Sequence, residues 1–155
     1  MNLSGTTRSD DRLPDYVGER LIESGVAGER ICLEITETAA IANMSAALRF
    51  MSHVRELGCA VALDDFGSGL SSFAYLKSLP ADYLKIEGSF GRAMIDDELD
   101  RTIVEAIMKI GHAAGKEVVA ESVESSDVLD ALTALGIDGV EGVMRDSPRR
   151  LTARL

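Results

Sequence analysis

Two kinds of hydrophobic pattern alternate along this chain. Leu13, Val17 and Leu21 recur every fourth residue and predict a helix over about residues 12–24. Runs that are apolar at nearly every position predict buried strands at residues 31–35, 59–63, 83–86, 118–120 and 139–143. Further helices are predicted over residues 47–57, over 73–78, from Asp96 or Asp97 to Gly115, and from Ser125 to Gly136.

Repeated strand–helix units with continuously apolar strands predict a parallel sheet covered by helices, either a (β/α) barrel or an open doubly wound sheet. Glu34, Asp64 with Asp65, Lys85 and Glu121 each stand near the end of a predicted strand. The carboxyl ends of parallel strands lie at one edge of the sheet, where ligands bind. No glycine-rich dinucleotide or phosphate-binding loop follows any strand, so the barrel is favoured.

The polar residues at the strand ends predict a metal site. Glu34, Asp64, Asp65 and Glu121 supply anionic oxygens, and Asn2 adds a neutral one, which suits Mg²⁺ or Mn²⁺. Two such ions about 3.5–4 Å apart can activate water for phosphodiester hydrolysis.

Lys85 has three possible parts in such a site. It can orient the water, take its proton or offset phosphate charge. Purely structural interpretations of these residues stay open at this point. Residues 62–72 can be an ordinary solvated turn, Lys85 and Glu121 a buried ion pair, and Glu34 a loop cap.

Composition and charge narrow the class of protein. With 155 residues, 46% of them hydrophobic, the chain is long enough for one domain or part of one. Its net charge of -10 opposes binding to DNA and to anionic membranes. It contains no apolar run of about 20 residues, as a membrane span needs, and no signal-peptide pattern at its start, so we expect a cytoplasmic protein.

The cysteines and histidines point to no zinc site or disulfide framework. Cys32 and Cys59 each lie in an apolar strand-like run and are expected to be reduced thiols. His53 and His112 are isolated on helical segments and are expected to be ordinary surface or boundary residues.

Five ordered motifs resemble those of the EAL-domain family. They are NLS at residues 2–4, LEITE at 33–37, DDFGSG at 64–69, KIE at 85–87 and AESVE at 120–124. The resemblance implies a TIM-like (β/α) barrel that hydrolyses cyclic di-GMP to the linear dinucleotide with Mg²⁺ or Mn²⁺. It covers residues 1–148, and the arginine-rich tail at 149–155 is expected to be disordered.

The resemblance also implies roles for individual residues. Asn2, Glu34 and Asp64 would be metal ligands, Asp65 would serve a second metal, and Glu121 would complete the metal site. Lys85 would assist the attacking water, so that the catalytic set would be Lys85, Asp64, Asp65 and Glu121. Glu37 would hold the loop from residue 65 to residue 72 in place.

Several positions depart from the family pattern. Glu87 stands where the family has Asp, Ser122 where it has Gly, and Glu141 where it has Gln, so the roles of Glu87 and Glu141 are left open. The family domain begins with two further strands, which include the Glu-Ala-Leu motif. The resemblance therefore implies an incomplete barrel with about six of eight strands.

Two functions follow as hypotheses. The first is a cyclic di-GMP phosphodiesterase domain, weak or inactive as this chain because the Glu-Ala-Leu strand is absent from it. The second is a non-catalytic relic that binds cyclic di-GMP or a partner protein.

An open sheet would expose the strands at residues 2–4 and 139–143 as edges, so we expect a homodimer.

Overall fold

The computed structural model of the chain describes residues 2–3, 13–67, 73–143 and 150–154. Its strands are β1 (Asn2–Leu3), β2 (Cys32–Thr36), β3 (Ala60–Phe66), β4 (Tyr83–Ile86), β5 (Glu117–Ala120), β6 (Gly139–Val143) and β7 (Arg150–Arg154). Its helices are α1 (Leu13–Ser24), α2 (Glu37–Ala42), α3 (Met44–Glu56), α4 (Gly88–Ala93), α5 (Glu98–Ala113) and α6 (Ser126–Leu135), and short 3-10 helices lie at Gly28–Arg30 and Phe73–Lys77. The strands follow one another through the sheet in chain order.

By its internal contacts the chain divides into two compact units. The first comprises Met1–Asp64 and Ser72–Tyr83, and the second comprises Asp65–Ser71 and Leu84–Leu155. The division falls inside strand β3, between two consecutive aspartates, and again inside strand β4.

The first unit is built on parallel pairing of β1 with β2 and of β2 with β3. Leu33 and Ile35 of β2 are buried, whereas Glu34 between them is half-buried, as strand alternation requires. Helix α3 packs against α1 and α2 and buries Met51 and Val54. These apolar side chains form the core of the unit.

In the second unit helix α5 packs against β5 and α4, and β6 pairs in parallel with β5. Asp97 begins α5 by accepting hydrogen bonds from the backbone N–H groups of Leu99 and Asp100. Ser125 begins α6 in the same way, and Gly136 ends it with a left-handed φ of 86°. Both helix starts therefore agree with the sequence prediction.

An aspartate directly before β4 fixes the start of β3. The Val61 N–H donates to Asp82 Oδ2 at 2.9 Å, and the Asp82 N–H donates to the Val61 carbonyl oxygen at 2.8 Å. Arg55, in the last turn of α3, pairs with Asp82 Oδ1 at 3.0 Å. We call this arrangement the Asp82 clamp.

The same arrangement recurs in the second unit, where an aspartate directly before β6 fixes the start of β5. The Val118 N–H donates to Asp138 Oδ2 at 2.7 Å, and the Asp138 N–H donates to the Val118 carbonyl oxygen at 3.1 Å. His112, in the last turn of α5, lies 2.7 Å from the same Asp138 oxygen. We call this the Asp138 clamp.

The tail expected to be disordered contains a strand. Residues 150–154 form β7, which pairs antiparallel with β6 from Gly139↔Arg154 to Val143↔Arg150. The physical reason is that the outer side of β6 presents unpaired backbone N–H and C=O groups, which a further strand satisfies. Strand β7 thus covers the outer edge of β6.

Two short helices were also missed. Helices α2 and α4 have six residues each, too few for an apolar period to stand out. Strand β3 continues through both aspartates to Phe66, beyond the predicted end at residue 63. Residues 68–72, which belong to the loop that Glu37 is expected to hold, lie outside the described residues.

Cys32 is half-buried and Cys59 is buried, and neither of them takes part in a disulfide.

In the part of the chain that the structure describes, no helix combines the length and the apolarity needed to cross a membrane.

Candidate active site

The first part of the site is the pair of consecutive aspartates near the end of β3. Asp64 is buried, with 4% of its surface exposed, and Asp65 is half-buried. Successive side chains of a regular strand point to opposite faces. Asp65 breaks this alternation with a φ of 55°, a left-handed conformation that Asp tolerates better than most residues.

The two aspartates form one carboxylate group with Glu121, the residue that follows β5. One oxygen each from Asp64, Asp65 and Glu121 lies within 4.8 Å of the others. Carboxylate oxygens at such separations repel one another unless a cation lies among them. Three hard anionic ligands suit Mg²⁺ or Mn²⁺ better than zinc, so the residues present fit the metal expected from the sequence.

Lys85 lies beside this group. Its Nζ is 2.5 Å from Glu121 Oε1, and the Lys85 side chain is only 6% exposed. Lys85 stands on β4, and the Glu121 N–H donates to the carbonyl oxygen of Ile86, the next residue of that strand, at 3.3 Å. This backbone hydrogen bond holds Lys85 and Glu121 side by side. The buried Lys85–Glu121 ion pair, one of the interpretations open from the sequence, is thus present.

Glu141, on β6, is the second carboxylate at Lys85. Its Oε2 lies 3.1 Å from Lys85 Nζ, and its side chain is 40% exposed. The register pairs Ala120 with Val140, so that Glu121 and Glu141 follow at the same level of neighbouring strands. Glu141, whose role the sequence motifs do not define, is thus in contact with Lys85.

The backbone at Glu141 is tightly constrained. The Val123 N–H donates to the Glu141 carbonyl oxygen at 3.0 Å. A Cβ added to Gly142 would stand 2.0 Å from the Val123 carbonyl oxygen, so only glycine fits there. This close approach fixes the point from which the Glu141 side chain leaves the strand, and sequence reasoning did not find it.

The remaining predicted metal ligands lie in the first unit. Glu34 pairs with Ala62 in the β2–β3 register, and Asn2 pairs with Glu34 in the β1–β2 register. Both therefore stand on consecutive strands that lead to β3. Glu34 is not a member of the group that contains Asp64, and the side chain of Asn2 lies outside the described part of the chain.

Glu37 and Glu87 each have a hydroxyl partner. Glu37 is 2% exposed and accepts a hydrogen bond from Tyr75 Oη, in the 3-10 helix that follows the loop. Tyr75 was not singled out from the sequence, since nothing in the local pattern links it to Glu37. Glu87 accepts a hydrogen bond from Ser89 Oγ, two residues further on.

The strand order and the polar strand ends define the class of this protein as an incomplete TIM-like (β/α) barrel with a cluster of acidic residues and a buried lysine. A family model described as the EAL domain matches residues 1–145. The chain belongs to the EAL-domain family, as its motifs indicated.

Curated relatives support this assignment. The chain is 35% identical over 153 residues to the cyclic di-GMP phosphodiesterase PdeB of Shewanella oneidensis, and 38% identical over 151 residues to the cyclic di-GMP phosphodiesterase PdeF of Escherichia coli. These matches cover 99% and 97% of this chain but only 18% and 20% of the relatives. The chain thus spans about a fifth of the length of these proteins.

Solved structures show the same fold. A complex of the PaMucR phosphodiesterase with c-di-GMP matches with a TM-score of 0.88 and 34% identity, over 98% of this chain and 61% of that one. The EAL domain of Mycobacterium smegmatis DcpA matches with a TM-score of 0.86 and 32% identity, over 92% of this chain and 63% of that one. This chain therefore matches only part of each of these two solved chains.

Proposed function

We propose that this chain is a metal-dependent cyclic di-GMP phosphodiesterase domain. The observation that carries the proposal is the group of Asp64, Asp65 and Glu121 with Lys85 beside it, in a family whose curated members include cyclic di-GMP phosphodiesterases. Since the structures similar to this chain include a c-di-GMP complex, the proposed substrate is the same cyclic dinucleotide.

In this proposal Asp64, Asp65 and Glu121 hold Mg²⁺ or Mn²⁺, and Asn2 and Glu34 add ligands from β1 and β2. When bound, the metal supplies Lewis acidity and an activated water. The protein contributes the fixed position of the ligands: Asp64 is buried in β3, and the turned backbone at Asp65 brings a second carboxylate to the same group.

Lys85 supplies a cation at the same place. Held at 2.5 Å from Glu121 in a buried position, its ammonium offsets the charge that phosphate brings and orients a water by hydrogen bonding.

Glu37, which accepts a hydrogen bond from Tyr75, is proposed to keep the loop between β3 and the 3-10 helix in its active conformation.

A second candidate function is binding of cyclic di-GMP without turnover. It is favoured by Glu141, because a second carboxylate at Lys85 holds the ammonium that the water would need. Calorimetric titration with cyclic di-GMP beside a hydrolysis assay separates the two functions. Turnover supports the first, and binding without turnover supports the second.

The test of the first function is the Asp64→Asn variant, which keeps the shape of the side chain and removes its charge. We expect Mg²⁺- or Mn²⁺-dependent hydrolysis of cyclic di-GMP to fall by at least about 100-fold, because the central metal ligand is lost. The matched control is Asp130→Asn, which makes the same change at an exposed position of α6. Unchanged hydrolysis in Asp64→Asn, measured against this control, would refute the assignment.

A further inference from the structure

Lys85 is shared between two carboxylates that come from different strands. Its Nζ lies 2.5 Å from Glu121 Oε1 and 3.1 Å from Glu141 Oε2. The two partners differ in exposure, since the Glu121 side chain is 21% exposed and the Glu141 side chain is 40% exposed. Glu121 also belongs to the carboxylate group with Asp64 and Asp65, whereas Glu141 does not.

Glu121 therefore faces two competing cations in the proposed function. In the structure it is the partner of the Lys85 ammonium, and in the metal-bound protein it would also be a ligand of a divalent ion. Two cations at one carboxylate repel each other, and the repulsion is strong where the groups are buried. A buried ammonium that loses its counter-ion is costly unless a second anion is in reach.

Glu141 is that second anion. The close contact of Gly142 with the Val123 carbonyl oxygen fixes the backbone beside it, so that its carboxylate starts from a defined place. The β5–β6 register sets Glu141 level with Glu121. Because Lys85 Nζ already contacts both carboxylates, a small movement is enough for it to leave Glu121 and stay paired with Glu141.

We infer that Glu141 is a positioning residue for Lys85, the counter-ion that keeps the ammonium at the site when Glu121 binds a divalent cation. This inference rests on the proposed metal site but not on turnover of cyclic di-GMP. It gives a role to a residue that departs from the family pattern.

The test measures Mn²⁺ affinity of the full chain by electron paramagnetic resonance of the free ion. Glu141→Gln should weaken Mn²⁺ binding about ten-fold, because Lys85 then remains at Glu121 and competes with the ion. Glu141→Asp, which keeps the charge, should restore most of the affinity. The matched control Glu19→Gln removes an equal charge from an exposed position of α1 and should leave the affinity unchanged.

The Lys85→Met background decides whether Glu141 acts through Lys85. In that background Glu141→Gln should have little further effect on Mn²⁺ affinity, as a double-mutant cycle of coupled residues shows. An equal ten-fold loss in both backgrounds would mean that Glu141 acts on the ion directly and would overturn the inference. No loss in Glu141→Gln, or a wild-type chain that binds no Mn²⁺, would also overturn it.

A second measurement covers the case in which Lys85→Met does not fold. The chain has only four lysines, so the ammonium signals can be assigned by nitrogen-15 magnetic resonance. With saturating Mg²⁺ the Lys85 ammonium signal should persist in the wild type and disappear through fast exchange with water in Glu141→Gln. Persistence in both proteins contradicts the inference. Hydrolysis enters neither readout, so the inference and the proposed function can fail separately.

Discussion

Two residues near the candidate site, Asp65 in β3 and Ser122 after β5, have backbone angles usually left to glycine. Their φ values are 55° and 54°. For Asp65 the angle serves the site, because it brings a second carboxylate to the group that contains Asp64. Ser122 follows Glu121 at a position where the family has glycine, and its side chain is exposed. The strain at Ser122 therefore has no evident compensation.

Replacing Ser122 with glycine should stabilise the protein. The left-handed conformation costs a non-glycine residue about 1–2 kcal/mol, part of which is offset by the greater freedom of glycine in the unfolded chain. We expect a gain of about 1 kcal/mol in the free energy of unfolding, measured by urea denaturation. Ser122→Ala is the control, because alanine keeps the Cβ and the strain. A gain in Ser122→Ala as large as that in Ser122→Gly would contradict this explanation.

Cys59 gives the folded protein a dependence on alkaline pH. Burial raises the pKa of the Cys59 thiol above its ordinary value of 9.0. The unfolded chain therefore loses this proton at a lower pH than the folded chain does. Below the ordinary thiol pKa, Cys59 makes its full contribution to the free energy of unfolding. This contribution declines as the pH rises from there toward the raised pKa, by at most about 1.4 kcal/mol per pH unit.

Urea unfolding of the wild type and Cys59→Ala between pH 7 and pH 10 measures this effect. The wild type should lose more stability than the variant across the alkaline half of the range. Parallel pH curves for the two proteins would show that the thiol does not contribute.

At the residue scale the sequence predicted the side chains that lie together in the carboxylate group and at Lys85, but not all of their partners. Asp64, Asp65, Lys85 and Glu121 were found because each interrupts or follows an apolar run. The contacts of Lys85 with Glu141, and of Glu37 with Tyr75, join residues far apart in the chain. Such pairs follow from strand register and side-chain packing, which local patterns do not contain.

At the scale of helices and strands, predictions succeeded where an apolar period was long or a cap was distinct. Helix α5 begins after Asp97 and α6 after Ser125, as their capping side chains indicated. Helices α2 and α4 are too short to show a period, and β7 forms because β6 offers it an edge. The helices and strands that were missed are therefore those whose formation depends on tertiary contacts.

The Asp138 clamp should contribute measurably to stability. In Asp138→Ala the Val118 N–H loses its side-chain acceptor and His112 loses its carboxylate partner, so we expect a loss of about 1–3 kcal/mol in the free energy of unfolding. Asp82→Ala, the corresponding change in the first unit, should give a loss of similar size. The exposed Asp130→Asn serves as control. A loss within 0.5 kcal/mol of zero, roughly the range of neutral surface changes, would mean that the clamp is not needed.

At the scale of the whole molecule the open question is assembly. The sheet ends in β1 on one side and β7 on the other, and β7 covers the edge that β6 would otherwise present. Uncovered strand edges favour pairing between chains, and the net charge of -10 opposes indiscriminate association. A discrete homodimer stays our prediction.

Light scattering over a range of concentrations tests it. The wild type should have twice the monomer mass of 16.6 kDa, and deletion of residues 144–155 should promote further association by uncovering β6. A wild-type mass of one chain at every concentration would refute the dimer. If the deletion leaves the mass unchanged, β7 does not protect an edge.

The two aspartate clamps have a consequence for how this protein can tolerate insertions and deletions. Each clamp fixes the first residues of a strand, and a carboxylate of the proposed metal site follows three residues later: Asp64 comes three residues after Val61, and Glu121 three residues after Val118. A residue gained or lost within either interval would turn the carboxylate to the opposite face of the sheet. The same change before the clamp would be absorbed by the preceding loop, so length variation between related sequences should fall there.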